Sequence, residues 1–377
     1  MTKRRALMWL VGLAAFAAAL YLVIRQTRDL TDFAVYRTAG ARIVAAEPLY
    51  RPEDGHFVFK YLPAFAYVAV PFAIAAPEPA KASWFALSFG WLVFFVWGSI
   101  RALPDRRRAI GPLVVWTLVV MAKSDVRELA LGQVNALLGG LLVASLLLVT
   151  RELPRLAGIL VGVAAFVKPY ALLLVPWLVV MTGVPAVVAC GATVLVGLGL
   201  PALSYGWNGN LGLLSDWFRT VTETTAPNLL LPENVSFLSM WAKWIGAGPA
   251  ATSLAVLTTV GALGFAGLTL LRRGAVRAPG YLEFALLLLL IPLLTPQGWD
   301  YMLLLATPAV VCLVDRWSSL ALAWRIVVAV ALALVALPMR ELFGPAVTRS
   351  VLGSGALTVA ALVVGAGLVR LRWRGEA

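Results

Sequence analysis

Long apolar runs recur along the whole chain, and they constrain the fold more than any other feature of the sequence. A helix needs about 20 apolar residues to cross the hydrocarbon core of a bilayer. The chain is 61% hydrophobic and only 13% charged, whereas an ordinary soluble domain has roughly 25% charged residues. A soluble globular protein of this size is therefore excluded, and we predict an all-α integral membrane protein.

We predict about twelve transmembrane helices, because this number of spans uses about 240 residues and leaves roughly 140 for loops and ends. The run 61–77 is shorter and carries Pro63 and Pro71, which favours a helix that lies in the interface or re-enters. The first span follows three basic residues and is too long for a signal-peptide core, so we expect an uncleaved signal anchor. The predicted spans are 6–24, 82–100, 109–122, 130–149, 156–167, 169–182, 185–204, 249–271, 280–295, 299–314, 321–338 and 350–371.

Clusters of arginine predict the orientation, because positive residues accumulate on the cytoplasmic side of membrane proteins. With both termini in the cytoplasm, every arginine cluster between the spans falls on that side. The chain then forms a single polytopic membrane domain, 1–377, with two large external segments, 25–81 and 205–248. We expect the plasma (inner) membrane as its location.

Lys168 and Pro169 divide one apolar run into the halves 156–167 and 169–182. Each half is about 20 Å long as a helix, too short to cross the bilayer comfortably. A single tilted helix would place Lys168 in the hydrocarbon core, at about 2.5–3.5 kcal/mol. We therefore expect two short helices that meet at an external cavity, and a further external turn at 123–129.

The predicted external face carries 14 of the 31 basic residues, which the positive-inside rule does not explain. Many carboxylates accompany them, so this face has mixed charge. Such a surface near membrane depth is what an enzyme acting on an anionic lipid headgroup needs, whereas the simpler interpretation is a set of solvated loop charges. The net charge of +13 does not indicate nucleic acid, because the basic residues form no domain of their own.

Metal and nucleotide sites are not indicated. Cys190 and Cys312 lie inside apolar runs and His56 is the single histidine, which excludes a disulfide framework and argues against a multi-histidine metal centre. The sequence has no Walker A motif, no Rossmann glycine fingerprint and no DxD clamp, so a nucleotide-sugar donor is not expected. A divalent cation is the one cofactor that the sequence leaves open.

Five polar motifs follow one another along the chain. They are Thr31-Asp32-Phe33-Ala34-Val35-Tyr36-Arg37 with Lys60-Tyr61-Leu62-Pro63, Gly132-Gln133-Val134-Asn135, Lys168-Pro169-Tyr170, Asn234-Val235-Ser236, and Thr295-Pro296-Gln297-Gly298-Trp299-Asp300-Tyr301. Together they resemble glycosyltransferase family 87, the polyprenyl-phosphate-mannose-dependent mannosyltransferases of the GT-C superfamily, over residues 6 to about 315. Members of the family often have a histidine after the Trp-acid pair, where this chain has Tyr301, so no role of that histidine is carried over.

The resemblance implies a GT-C-like bundle with external interface helices and an inverting transfer of a hexose, with mannose expected. The donor is a sugar on polyprenyl phosphate, and the acceptor is a lipid or glycan at the periplasmic or extracellular face. Because phosphate is a good leaving group, one carboxylate that takes the acceptor proton can suffice. Asp32 is the candidate general base, although aspartate at a helix start is also a common N-cap. Asp125 is the second acidic candidate, to orient the acceptor or bind a metal, unless it is only a solvated turn residue.

The remaining candidates are assigned to substrate binding. Lys168 is expected to hold the donor phosphate, unless it only reaches to the interface as lysines commonly do. Amide side chains are expected to bind sugar hydroxyls or to begin helices, and tryptophan is expected to stack on a sugar or anchor the interface. These candidates are Arg37 and Lys60 as alternatives for the phosphate, Gln133 and Asn135 as amides, Trp299 and Asp300 as a sugar platform, and Tyr36, Tyr61, Asn234 and Tyr301.

Two other functions are compatible with a polytopic membrane protein. A lipid or solute transporter places polar residues at mid-membrane in broken helices, whereas the polar motifs here cluster on one face. A scaffold without chemistry would have poorly ordered external segments. An open groove between 25–81 and 205–248, walled by Asp32, would distinguish an enzyme from a scaffold.

Overall fold

The computed structural model describes residues 30–275 and 279–373; it is 82% helical, and this part of the chain has no sheet. The prediction of an all-α integral membrane protein is confirmed, while the span 6–24 lies outside the described residues. The described helices are α1 (Thr31–Val44), α2 (Ala66–Ile74), α3 (Pro77–Arg101), α4 (Ile110–Leu131), α5 (Asn135–Val149), α6 (Pro154–Val167), α7 (Val175–Thr182), α8 (Val184–Gly199), α9 (Ala202–Glu223), α10 (Thr225–Asn228), α11 (Phe237–Ile245), α12 (Pro249–Leu271), α13 (Pro279–Leu294), α14 (Thr307–Asp315), α15 (Leu322–Ala336), α16 (Arg340–Gly353) and α17 (Ala356–Trp373).

Three of the described helices, α3, α12 and α17, are each long and apolar enough to cross a membrane. Three further pairs pass the same test together but are bent at short breaks: α4 with α5 by 117°, α8 with α9 and α10 by 91°, and α15 with α16 by 102°. If each bent pair is one span, the described residues hold six. The total of about twelve spans stays a prediction, which also counts shorter helices such as α6 and α13.

The centre of the bundle is formed by α13 and by the segment that follows it. Nearly every residue of α13 is buried, and so are the 3₁₀ segment Asp300–Ala306 and α14. A helix that is apolar on all sides belongs in the middle of a bundle, where every face meets another helix. Helix α13 leads directly into residues 295–301, several of which line the cleft described below.

Helices α6 and α8 pack at close range because glycines remove side chains from their interface. A Cβ atom at Gly158 would lie 1.9 Å from the carbonyl oxygen of Ala186, and one at Gly162 would lie 2.7 Å from the Cβ of Thr193. Small residues spaced by four positions let membrane helices approach in this way. The tight pair fixes the end of α6, where Lys168 follows.

The two short helices predicted around Lys168 are present. Helix α6 ends at Val167, Lys168 is extended, and a 3₁₀ turn, Pro169–Leu174, leads into α7. The extended backbone at Lys168 follows from Pro169, because a residue before proline is disfavoured in the helical region. In the run 61–77 the helical part covers Pro63–Ile74, about 18 Å, which is too short to cross a bilayer.

The turn predicted at 123–129 is wrong, because these residues form the end of α4. Two of the charged residues in this stretch, Lys123 and Glu128, have partners inside the protein. Lys123 lies 2.8 Å from a carboxylate oxygen of Asp300. Glu128 accepts a hydrogen bond from the side chain of Asn135 at 2.7 Å, which holds the start of α5. The chain turns only after these residues, at the break between α4 and α5.

Candidate active site

A cleft of about 530 Å³ lies between the two segments that the sequence predicts to be external, 25–81 and 205–248. The first contributes α1 and residues 56–61, and the second contributes α9 and residues up to Glu233. The break between α4 and α5, the break at Lys168 and residues 295–301 complete the lining. Three interruptions of helical structure, each signalled by glycine or proline, therefore meet at one place.

Eight of the predicted site residues line this cleft and five do not. Those in the cleft come from all parts of the chain and include the candidate base and the candidate phosphate ligand. The eight are Asp32, Tyr36, Lys60, Tyr61, Gln133, Lys168, Trp299 and Tyr301, and the five outside are Arg37, Asp125, Asn135, Asn234 and Asp300.

Asp32 lies in the first turn of α1 with its carboxylate at the cleft. Burial raises the pKa of Asp32 above the usual 3.8, and the hydrogen bond from Gln133 and the basic groups of Lys168, His56 and Lys60 lower it in part. The N-cap of α1 is Leu30, without a side-chain cap, so Asp32 is not used as a cap. Its carboxylate is free to act on a ligand in the cleft.

Gln133 holds Asp32 in place through a complete set of hydrogen bonds. Its Nε2 donates to Oδ2 of Asp32 at 2.6 Å and to the hydroxyl of Tyr301 at 3.2 Å. Its Oε1 accepts from Tyr36 at 3.3 Å and from Tyr61 at 3.4 Å, and these two hydroxyls lie 2.7 Å apart. Because an amide offers two donors and one acceptor oxygen, these contacts fix its orientation and present an N–H to Asp32.

Gly132 allows this arrangement. It ends α4 with φ at 70°, a left-handed conformation that favours glycine. A Cβ atom there would lie 3.0 Å from the Cβ of Phe33, and its carbonyl accepts a hydrogen bond from the indole of Trp84 at 2.8 Å. The turn that carries Gln133 is thus packed directly against α1, next to Asp32.

Two lysines, Lys60 and Lys168, line the cleft, and they differ in their hydrogen-bond contacts. Lys60 donates to Oε1 of Gln297 at 3.2 Å, and burial lowers the pKa of Lys60 while Asp32 opposes that shift. The ammonium of Lys168 makes neither a hydrogen bond nor an ion pair with any residue of the described ranges, and the carboxylates of Glu128 and Asp32 are its electrostatic partners. An ammonium that donates no hydrogen bond in a cleft is well suited to bind an anion.

Trp299 and Tyr301 form an aromatic pair in the cleft. Their ring centroids lie 6.5 Å apart with planes only 14° from parallel, and the guanidinium of Arg127 lies 5.8 Å from the Tyr301 ring centroid. The hydroxyl of Tyr301 accepts a hydrogen bond from Gln133. Tyr301 therefore contributes to the hydrogen-bond network around Asp32.

The structure does not bring Asp300 to the cleft. Its side chain is fully buried, 2.8 Å from Nζ of Lys123, which is only 4% exposed, and Arg127 lies farther away at 3.9 Å. The backbone N–H of Asp300 also donates to the carbonyl of Glu233 at 2.8 Å. These contacts attach the segment after Trp299 to α4 and leave no open face of Asp300 for a sugar.

Asn234 connects the segment around Asn228 to the segment around Pro296, outside the cleft lining. Its amide donates to the carbonyls of Asn228 and Pro296, at 3.1 and 3.0 Å, and its oxygen accepts from the backbone of Ser236. The side chain is buried, so the Asn-Val-Ser sequence that begins at Asn234 is not an accessible N-glycosylation site in the folded protein. Asn234 shapes the cleft wall without lining it.

The other three residues outside the cleft also make internal contacts or are enclosed. Arg37 donates to the carbonyls of Phe72 and Ala75, at 3.1 and 3.2 Å, which ties α1 to the end of α2. Asn135 bonds Glu128 as described above. Asp125 is buried on α4, and its oxygens have no hydrogen-bond partner in the described part of the chain.

The residues of the cleft that were not assigned from the sequence include Glu233, Arg127 and His56. Glu233 is the second carboxylate of the lining and lies 3.5 Å from Arg340, which is mostly exposed. Its position directly before the Asn234 motif could have indicated that Glu233 lies at the site. The sequence pattern predicts an external turn at Arg127. On a helix, Arg127 and Asp125 point in different directions, and only Arg127 reaches the cleft.

Within residues 30–275 and 279–373, no group of three or more histidine, cysteine, aspartate or glutamate side chains is arranged to hold a metal ion. The carboxylates of the cleft, Asp32 and Glu233, belong to opposite segments of its lining.

Comparison with protein families matches residues 59–296 to glycosyltransferase family 87. The match includes Lys60, Gln133 and Lys168, whereas Asp32 and Trp299 lie outside it. A search of curated proteins found no match. Because the matched region covers more than half of the 377 residues, the chain belongs to glycosyltransferase family 87, a family of membrane glycosyltransferases.

Proposed function

We propose that this protein transfers a hexose from a polyprenyl-phosphate donor to a lipid or glycan acceptor. The proposed hexose is mannose, and the proposed transfer inverts the configuration at its anomeric carbon. The observation that carries the proposal is that Asp32 and Lys168, whose ammonium donates no hydrogen bond to the described residues, line the same cleft. One supplies a base for an acceptor hydroxyl and the other a cation for a phosphate. The family supports transfer of a sugar, and the donor and acceptor classes are our inference.

In the proposed step the acceptor oxygen forms a bond to the anomeric carbon of the donor sugar. The bond from that carbon to the phosphate oxygen breaks, and its electron pair leaves with polyprenyl phosphate. The acceptor proton passes to the carboxylate of Asp32. Burial raises the pKa of Asp32, which brings its basicity nearer to neutral pH, where general-base catalysis is most effective.

Lys168 is proposed to bind the donor phosphate. Negative charge grows on the phosphate as the sugar departs, and a fixed cation at that point stabilises the transition state more than the ground state. Lys60 already donates to Gln297, so it is the secondary candidate. The aromatic pair Trp299 and Tyr301 is proposed to contact the sugar ring.

Glu233 is proposed to contact the acceptor. It lines the cleft from segment 205–248, whereas Asp32 belongs to segment 25–81. Asp125 is enclosed in α4 outside the cleft lining, so Glu233 takes the place of the second acidic residue in the proposal.

The cleft is proposed to face the periplasm or cell exterior, in a plasma-membrane protein with both termini in the cytoplasm and one membrane domain over 1–377. The support is the distribution of arginine clusters between the apolar runs. In this orientation both substrates reach the cleft from the outer leaflet.

The proposal is tested by offering the purified protein radiolabelled polyprenyl-phosphate mannose, polyprenyl-phosphate glucose and GDP-mannose, with a membrane lipid extract as acceptor. We expect polyprenyl-phosphate mannose to be consumed and label to enter a new product. Consumption of GDP-mannose alone would overturn the donor assignment. Movement of lipid donor across proteoliposomes without sugar transfer would overturn the proposed transfer activity.

A further inference from the structure

A second cavity, of about 490 Å³, lies between α12, α13, α15 and α17, away from the catalytic cleft. Its walls are almost entirely apolar, with Phe265, Leu289 and Leu293 among the side chains that form them. We name this cavity the lipid groove. Along α17 its lining extends from Ala361 to Trp373, a length of about 18 Å at the helical rise per residue.

The lipid groove is bounded by a helix that faces the bilayer. Only 17% of the most apolar 18-residue stretch of α12 is buried within the protein. Large side chains such as Leu257, Val260 and Leu268 are exposed. A helix with this exposure is surrounded by lipid rather than by protein. A lipid chain therefore has direct access to the groove beside it.

One end of the lipid groove carries aromatic and positive residues. Trp324, Arg370 and Trp373 line it there, and tryptophans are typical of the level of lipid headgroups. The neighbouring arginines have an acidic partner, because Arg273 and Arg372 lie 3.4 and 3.1 Å from oxygens of the buried Glu283, which they share.

Arg370 differs from these arginines. Its side chain forms neither a hydrogen bond nor an ion pair with the described residues, and its Nε is buried without a partner there. A buried guanidinium nitrogen without an acceptor is unfavourable. Among the described residues, the guanidinium thus has a donor without an acceptor, at the end of an apolar channel.

We infer that the lipid groove binds an anionic phospholipid, with one acyl chain along α17 and the phosphate at Arg370. An acyl chain matches the apolar walls, and a phosphate supplies the acceptors that the guanidinium lacks. The site is separate from the catalytic cleft and takes no part in the proposed transfer.

Two glycines of α12 offer a matched pair of variants. A Cβ atom at Gly261 or at Gly264 would meet nothing within 4 Å, but only Gly261 lines the groove. Gly261→Leu therefore fills the groove without a backbone clash, and Gly264→Leu is the control. Arg370→Gln removes the charge, and Arg101→Gln, at the end of α3 outside the groove, is its control.

The test titrates the full chain in detergent with phosphatidylglycerol or phosphatidylcholine and counts bound lipids by native mass spectrometry. We expect phosphatidylglycerol to bind more tightly than phosphatidylcholine, by about five-fold for one arginine. Arg370→Gln should abolish that preference, and Gly261→Leu should remove the tightest bound lipid, while both controls bind as the unmodified protein does.

Equal binding of the two lipids, or unchanged binding to Arg370→Gln or Gly261→Leu, would overturn the assignment. Absence of bound lipid from the unmodified protein would also overturn it.

Discussion

The side-chain nitrogen of Gln133 donates a hydrogen bond to a carboxylate oxygen of Asp32 at 2.6 Å, across 101 residues of sequence. This contact joins α1 to the break between α4 and α5. The remaining contacts of Gln133, with Tyr36, Tyr61 and Tyr301, prevent its amide from turning away. The orientation of the proposed base is therefore set by a residue of the membrane bundle.

Gln133→Met should lower kcat by roughly 10²-fold, the scale of a misplaced catalytic group. Methionine keeps the length of the side chain but cannot donate to Asp32. Since the hydrogen bond from Gln133 lowers the pKa of Asp32, its loss should also move the acid limb of the pH profile to higher pH. Measurement of kcat against pH with a lipid-linked donor checks both effects.

Gln297→Met is the matched control for this variant. Gln297 is also an amide of the cleft, but it bonds Lys60, Thr224 and Thr225 rather than Asp32. We expect a change in donor KM and an unmoved acid limb. If Gln297→Met moves the acid limb as far as Gln133→Met does, Gln133 has no specific link to Asp32.

The pH dependence of kcat/KM should show an acid limb above the usual range of an aspartate. A general base works only when ionised, so activity rises as the pH passes upward through its pKa. Burial raises the pKa of Asp32, so the acid limb of the profile moves to higher pH. A rate that is constant from pH 4 to pH 7 would contradict this expectation.

Lys168→Met should raise the KM for the donor by about 10- to 100-fold, the effect of losing a hydrogen bond to a charged group. It should also move the acid limb to higher pH, because the positive charge of Lys168 lowers the pKa of Asp32. Lys81→Met, at a lysine outside the cleft that pairs with Glu78, should leave both quantities unchanged. An unaltered donor KM in Lys168→Met would remove this residue from the phosphate site.

Asp300→Asn should destabilise the protein by about 3–5 kcal/mol, because it leaves the buried Lys123 without its partner. The double variant Asp300→Asn with Lys123→Met should be more stable than the single one, since the buried ammonium of Lys123 is then also removed. Thermal unfolding in detergent checks this order. Equal stability of Asp300→Asn and the unmodified protein would show that the ion pair contributes little.

The pattern of apolar runs and proline breaks predicted much of the architecture. Pro169 after Lys168 marked the end of a helix, and the structure has that break in the lining of the cleft. Asp32 and Gln133 could also be identified as candidates, because Asp32 stands at the start of a helix and Gln133 directly follows the glycine that ends one. In each case a local signal, a helix start or a helix break, lies at the functional surface.

The charges between residues 123 and 128 could not be placed from the sequence, because their partners are distant. Lys123 and Asp300 are in contact but lie far apart in the sequence. Nothing in the sequence around either residue shows that they meet. An exposed turn is the natural interpretation of such a stretch. For the same reason Asp300 was assigned to a sugar platform, although its side chain faces the interior.

The activity of Asp32→Asn is the most direct measurement of the proposed mechanism. The asparagine keeps the shape of the side chain but cannot accept a proton, so turnover of polyprenyl-phosphate mannose should fall by at least about 10²-fold. The variant should elute from gel filtration in detergent as the unmodified protein does. Asp216→Asn, the same change at a residue that pairs with Arg219 outside the cleft, should retain full activity. Turnover by Asp32→Asn at the rate of the unmodified protein would contradict the assignment of Asp32 as the general base.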